Sequence, residues 1–204
     1  MTPGELAGVL GEHPEPEGTW ERECAYVSAA ALRRRLPAEE LARRLRGLSG
    51  VASAEVRGRG FLRIVLTEPP MDLEAVAVPF EPAWPDFPRT WDNPGFVVRY
   101  GHARACAVLR WAGQLGVPAG GRPGAPPDPH HRRVLRVLAE LPGRLVSREP
   151  GWEAYLLRLA LAYHDAHERA PAVPVGDEEP GPVHAARVRV AELVGKVLPG
   201  PDRL

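Results

Sequence analysis

Asn93–Trp111 reads NPGFVVRYGHARACAVLRW, and how this stretch is read decides the fold. Asn93 is a good helix N-cap. Pro94 suits the first helical position, where the N–H it lacks would have no intrahelical partner. At about 100° per residue, Phe96, Val97, Tyr100, Ala103, Ala107, Val108 and Trp111 share one face. Arg99, Cys106 and Arg110 lie near one edge of that face, with His102 further round. Arg104 falls inside the apolar stripe, between Val97 and Val108. Two of these residues are costly: an interior glycine such as Gly101 costs about 1 kcal/mol against alanine, and a buried arginine needs a partner. One expectation is structural: Arg104 pairs with a carboxylate of another helix, Glu149 or Glu153, and Gly101 permits close helix packing. The other is functional: Arg99, Tyr100 and His102 line a surface that stacks on unpaired bases and grips phosphates.

C-terminal to this helix the pattern stays helical almost to the end. Helices are predicted near 93–116, 128–141, 150–170 and 181–198, broken by GVPAGGRPGAPPDP, LPGRLVSREP and APAVPVGDEEPGP. That is an up-and-down bundle of at least four helices. Toward the N-terminus the period changes. Thr2-Pro3-Gly4-Glu5 has the form of a capping box. Residues 24–35 and 37–47 read as helices, the second with Glu39 and Glu40 in its first turn and arginines near its end, as the helix dipole favours. Val51–Arg57 and Gly60–Leu66 read as two strands about a glycine turn. Residues 69–94 hold seven prolines and read as an extended, stiff, acidic linker, within which MDLEAVAV is a candidate short strand. The fold class is therefore α+β: a small α/β domain (1–68), a linker (69–92), and an all-α helical bundle (93–204).

The charge of the 204-residue chain sums to zero, yet it is segregated. Residues 1–29 carry a net −5, 30–63 a net +6, 67–93 a net −5, 94–148 a net +7 and 149–204 a net −3. Either the chain presents two basic surfaces, or the acidic segments fold over the basic ones. Of 26 basic residues only Lys196 is lysine, and arginine makes the better forked contact to phosphate. No apolar run approaches a membrane span, and the N-terminus lacks the basic and apolar regions of a signal peptide. Cys24 and Cys106 lie in no metal or redox spacing, so a reducing cytoplasm is expected.

The residues quoted above also carry a resemblance. NPGFVVRYGHARACAVLR is similar to the opening of the anticodon-binding (DALR) helical domain of arginyl-tRNA synthetases, roughly N-P-x-x-Y-V-Q-Y-A-H-A-R. EPGWEAYLLRLALAYHDAHERAPAV resembles a later helix of that domain, and HAARVRVAELVGKVLPGPDRL its last helix and tail. LSGVASAEVRGRGFLRIVL resembles the same enzymes' N-terminal appended domain, V-x-x-V-E-V-x-G-P-G-F-I-N-F-x-L. The four matches occur in family order. Between them the enzymes carry a catalytic Rossmann core. Here only the proline-rich segment stands in that place, with no HIGH-like motif, and a single lysine in the last helix rules out a KMSKS-like one. The chain thus resembles arginyl-tRNA synthetase-related anticodon-binding proteins of the NrtL type.

The resemblance implies a non-catalytic tRNA-binding protein, for tRNA-Arg or a related tRNA, with no cofactor. Tyr100 matches a family tyrosine near the anticodon loop. Val97 replaces the preceding tyrosine and Arg99 the glutamine. His102 and Arg104 match, with Arg104 as a structural anchor. Phe61 matches the family phenylalanine, and Arg63 replaces the asparagine that helps read a D-loop base. Leu204 stands for a C-terminal methionine that approaches the anticodon. Arg132 and Arg133, behind His130 and His131, form a basic cluster that either contacts phosphate or is a solvated face. Arg33–Arg35 with Arg43, Arg44 and Arg46 form another, open to the same two readings. His164 and His167 have the spacing of two metal ligands without a third, so no metal is expected. The alternative is a module that docks a protein partner, a synthetase or an amino-acid biosynthetic enzyme. Such drift is favoured by the departures at Val97, Arg63 and Leu204.

Overall fold

The computed structural model describes residues 1–85, 87–118, 124, 126 and 128–200. It is α+β: a four-stranded antiparallel sheet with short helices, followed by helices only. Helix α1 (Pro3–Leu10) starts at the expected capping box. Glu5 N donates to Thr2 Oγ1 at 3.1 Å, and Thr2 N donates to Glu5 Oε2 at 2.7 Å.

Strands β1 (Glu15–Glu17), β2 (Cys24–Ser28), β3 (Val51–Arg57) and β4 (Phe61–Leu66) lie in the order β1-β2-β4-β3. The β3–β4 hairpin is the one predicted. The helix expected over 24–35 is corrected: CAYVS is β2, paired with Cys24 opposite Leu66 and Ser28 opposite Leu62. Only Ala30–Arg33 is helical there, as α2. Tyr26 and Val27 fit a pleated surface, and two-sided pairing overrides the helix preference of the neighbouring alanines. β1 contains Pro16 and forms the sheet edge, the position that tolerates proline. Tyr26, Ala54, Leu62 and Ile64 share the buried face and pack with Leu6, Leu10, Trp20 and with Leu41 and Leu45 of α3 (Ala38–Arg46). The opposite face carries Glu17, Arg57 and Arg63.

Residues 69–92 contain no helix or strand among those described, so the candidate strand MDLEAVAV is not formed. The segment is nevertheless packed, with Met71, Leu73 and Val78 buried. Its end is tied to the helix that follows, α4 (Pro94–Gln114). Asn93 Oδ1 accepts from Gly95 N at 3.0 Å, while Asn93 Nδ2 donates to the carbonyls of Pro85 (3.0 Å) and Pro88 (2.8 Å).

Helices α5 (Pro129–Leu138), α7 (Trp152–Arg169) and α8 (Pro182–Val197) match the expected positions. The short α6 (Leu141–Leu145) occupies part of a segment read as a break. α4 packs on α7 and α8, and α5 packs on α7. The buried side of α4 is Val97, Val98, Gly101, Ala105, Val108 and Ala112. That set lies well round the helix from the face read in the sequence. α4 in fact has two apolar stripes, and the sequence reading merged them.

The charge segregation resolves by folding acid onto base. Glu12 pairs with Arg33, Glu17 with Arg57 and Arg63, Glu23 with Arg63, and Glu21 with Arg133. The acidic first segment therefore covers parts of both basic blocks. α5 docks on the β1–β2 connection by the same means. Arg132 Nη1 donates to Glu21 O at 3.2 Å, and Arg136 donates to Gly18 O (3.0 Å) and Pro16 O (3.1 Å). Among the described residues no helix is long and apolar enough to cross a membrane.

Candidate nucleic-acid interface

The second stripe of α4 faces outward. Tyr100, Ala103 and Trp111 are exposed, while Phe96 and Ala107 are half-buried. At about 100° per residue these five fall on one side, and from Phe96 to Trp111 at about 1.5 Å per residue the stripe runs roughly 22 Å. Its large side chains, Phe96, Tyr100 and Trp111, are separated by Ala103 and Ala107, so the apolar bulk is concentrated at its N-terminal end.

The N-terminal end of the stripe is an aromatic ledge. Phe96 and Tyr100, one helical turn apart, stack with centroids 5.5 Å apart and planes at 17°. Trp91, from the turn before α4, meets both edge-on, at 6.1 Å from Phe96 and 6.0 Å from Tyr100. Trp91 is 53% exposed and Tyr100 37%, so ring area remains open to a ligand. Behind them His164 of α7 lies 4.9 Å from Trp91 and 5.4 Å from Tyr100. The guanidinium of Arg104 sits over the Tyr100 ring at 4.4 Å, a cation–π contact that holds the ring in place.

Arg104 is anchored from α7. Its Nη1 donates to Glu168 Oε1 at 3.0 Å and lies 3.1 Å from His164 Nδ1. His164 Nε2 is 2.9 Å from the Val97 carbonyl. A carbonyl can only accept, so Nε2 carries the proton and Nδ1 accepts from Arg104. Burial, first, holds the His164 imidazole below its ordinary range, and the nearby Arg104 charge adds to that. The partners expected for Arg104, Glu149 or Glu153, are corrected to Glu168 and His164. Gly101 sits on the buried side, where a Cβ would meet Ala160 Cβ at 3.4 Å and Leu198 Cδ1 at 3.0 Å.

The other sequence-predicted residues are dispersed. His102 is half-buried on a different side of α4 from the ledge, beside Cys106 and Gly200, and burial lowers its pKa. Arg99 is half-buried on α4. Phe61 is 45% exposed at the start of β4. Arg63 is held by Glu17 at 2.8 Å and by Glu23, with its side chain 13% exposed. Arg132 and Arg133 face the β1–β2 connection, where Arg133 Nε reaches Glu21 Oε1 at 2.8 Å. Leu204 lies outside the described residues. The geometry brings Tyr100 and Arg104 together, and Arg132 and Arg133 together at Glu21, and does not unite the two groups or the remaining residues.

Trp91 and Phe96 were not singled out as binding residues by the sequence. Trp91 sat in the segment read as linker, and its signal was the Trp-x-Asn-Pro spacing that sets an aromatic two residues before a helix cap. His164 is buried and hydrogen-bonded, and no cluster of three metal-ligating side chains exists among the described residues. Cys24 is buried, and burial pushes its thiol up to about 12. The arrangement presents the exposed Trp91 ring to planar groups, while Arg104, paired with Glu168, holds Tyr100 in place against Phe96.

Over 117 residues the chain is 38% identical to the arginine–tRNA ligase of Clavibacter sepedonicus, covering 54% of this chain and 21% of that enzyme. Over 118 residues it is 36% identical to the arginine–tRNA ligase of Frankia alni, with the same shares covered. The chain is thus related to arginine–tRNA ligases over about half its own length, and the matched part spans about a fifth of theirs. No protein-family model matches the chain, and no solved structure matches it.

Proposed function

We propose that this chain binds tRNA without aminoacylating it, and that its ligand is an arginine tRNA or a close relative. On this reading it is a cytoplasmic, arginyl-tRNA synthetase-related anticodon-binding protein of the NrtL type. Its helical part is of the DALR kind. The bundle receives the anticodon stem-loop, and the sheet-bearing part meets the elbow. The observation that carries the reading is the open ledge of Trp91, Phe96 and Tyr100 with Arg104 across it. Unpaired bases stack on such surfaces for about 1–3 kcal/mol each. The partial likeness to arginine–tRNA ligases supports tRNA over other single-stranded RNA.

The test is binding of nuclease-treated, repurified protein to tRNA and to random RNA of equal length at low salt. Preference for tRNA, weakened in Trp91→Ala and Tyr100→Ala, is the expected result. Equal binding to both RNAs would defeat the proposal. A second reading, a docking module for a protein partner, is favoured by Trp111 and Leu115, which extend the exposed apolar side of α4 beyond the ledge. A protein partner retained after nuclease treatment, with no RNA bound, would select it.

A further inference from the structure

Where the sheet-bearing part meets the helices, the chain encloses a cleft of about 1310 Å³. One wall is the end of α1 and the segment after it, through Gly11, Glu12 and Pro16. The other is α5, α6 and the first half of α7, through Arg136, Arg144 and Arg158. The helical wall carries an imbalance of charge. All three arginines converge on one carboxylate, that of Glu140, whose side chain is only 11% exposed. Arg144 reaches Glu140 Oε2 through Nε (2.9 Å) and Nη2 (2.6 Å), Arg158 through Nη2 (2.6 Å), and Arg136 makes a close contact to Oε1.

Three guanidinium groups about one carboxylate leave two positive charges uncompensated at that point. Over the whole lining Arg33, Arg136, Arg144 and Arg158 are matched in number by Glu12, Glu15, Glu140 and Glu149, so this excess is local to Glu140. Glu12 is already engaged by Arg33 at 2.7 Å, by Ser28 Oγ and by Ala29 N, while Glu15 and Glu149 lie exposed, where solvent and salt screen them. Arg136 and Arg144 direct further donors to the carbonyls of Gly18, Pro16 and Pro150. Arg158 differs. Among the described residues its guanidinium makes one hydrogen bond, to Glu140, and its side chain is 48% exposed. Four of its five N–H donors therefore remain to offer, on a planar fork that suits two oxygens of one anion.

We propose that this cleft binds a phosphate group, held by the Arg158 guanidinium and attracted by the excess charge around Glu140. The site stands apart from the aromatic ledge, so it does not depend on the RNA reading. The cleft is roomier than an isolated phosphate needs. The phosphate can therefore belong to an RNA backbone or to a free phosphorylated small molecule; the chemistry of recognition is the same.

The test is calorimetric titration of the full chain with inorganic phosphate and with pyrophosphate, at constant ionic strength with chloride as the reference anion. Saturable one-site binding is expected, weakened at least tenfold in Arg158→Gln. Arg158→Lys keeps the charge but loses the fork and is expected to bind weakly too, which separates a lost donor from a lost fold. Lys196→Gln, exposed on α8 and paired with Glu192, is expected to bind as the unaltered chain does. Repeating the titration with total tRNA present identifies the source: displacement of phosphate means a backbone phosphate, and undisturbed binding means a free small molecule. Phosphate that binds no better than chloride, or equal affinity in Arg158→Gln, overturns the proposal. Either result leaves the behaviour of Tyr100→Ala toward tRNA as a separate question.

Discussion

Gly101 of α4 faces Ala160 of α7 so closely that a Cβ added at position 101 would lie 3.4 Å from the Ala160 Cβ and 3.6 Å from its Cα. Leu198, just beyond α8, closes the third side at 3.0 Å. α4 and α7 thus approach closely at this point, with the Leu198 side chain packed against both. Alanine at 101 gains about 1 kcal/mol of helix propensity and loses a similar amount to the displaced Leu198 methyl. Gly101→Ala is therefore expected to change stability by less than about 1 kcal/mol, whereas Gly101→Val, which adds bulk against Ala160, should cost about 2–3 kcal/mol. Urea denaturation of the two variants measures the difference.

Trp91 is half exposed but packs edge-on against Phe96, Tyr100 and His164, so Trp91→Ala should lower stability by about 1 kcal/mol. If bases stack on the ledge, the same variant weakens RNA binding by roughly tenfold, within the about 1–3 kcal/mol of a stacked base. Tyr100→Ala should weaken it comparably. Quenching of Trp91 fluorescence on RNA addition gives the direct readout.

Arg136 links α5 to the β1–β2 connection through the carbonyls of Gly18 and Pro16 as well as to Glu140. Removing it leaves these acceptors without their charged donor, a loss of about 1.5–3 kcal/mol. Arg136→Ala is expected to lower stability by that amount and to speed amide exchange in β1 and β2 more than in α7. Uniform acceleration across the chain would show that the contact does not hold the two parts together.

Burial keeps the imidazoles of His102, His164 and His167 below their ordinary range. In the unfolded chain each titrates near the usual value of about 6.5. Below that pH the unfolded state binds more protons, so stability falls as pH drops through about 7 toward 5 and is level above about 7.5. Asp128 and Asp165 act in a lower window. Burial would raise both, but hydrogen bonds from His131 and Arg187 to the first, and from Arg169 and His130 to the second, hold them below the usual carboxylate range. Their share is lost only near pH 4 and beneath. Denaturation midpoints at pH 7.5, 6.5 and 5.5 test the histidine step, which His164→Gln should reduce.

Much of the architecture was legible. Four long helices announced themselves by period and by proline starts, and β3–β4 by its glycine turn. What escaped was set by partners distant in sequence. CAYVS becomes a strand because β1 and β4 flank it, and EPE because an edge tolerates proline. Arg104 finds Glu168 rather than Glu149 because α4 turns a different side to α7 than a single-stripe wheel suggests. That wheel failed because α4 is apolar on two sides, and periodicity alone does not tell a buried stripe from an open one. Tyr100 was legible in the ledge; Trp91 was hidden by its place among prolines.

The carboxamide of Asn93 works in two directions, capping α4 with its oxygen and gripping the Pro85 and Pro88 carbonyls with its nitrogen. The practical result concerns where the chain can be cut. A fragment beginning at Asn93 would forfeit Trp91, half of the grip of its own cap, and the cover that Trp84 gives Gly95. Any fragment that keeps this arrangement must therefore begin upstream of Trp84, and a deletion series crossing residues 84–92 would erode the aromatic surface before it reached the first helical turn.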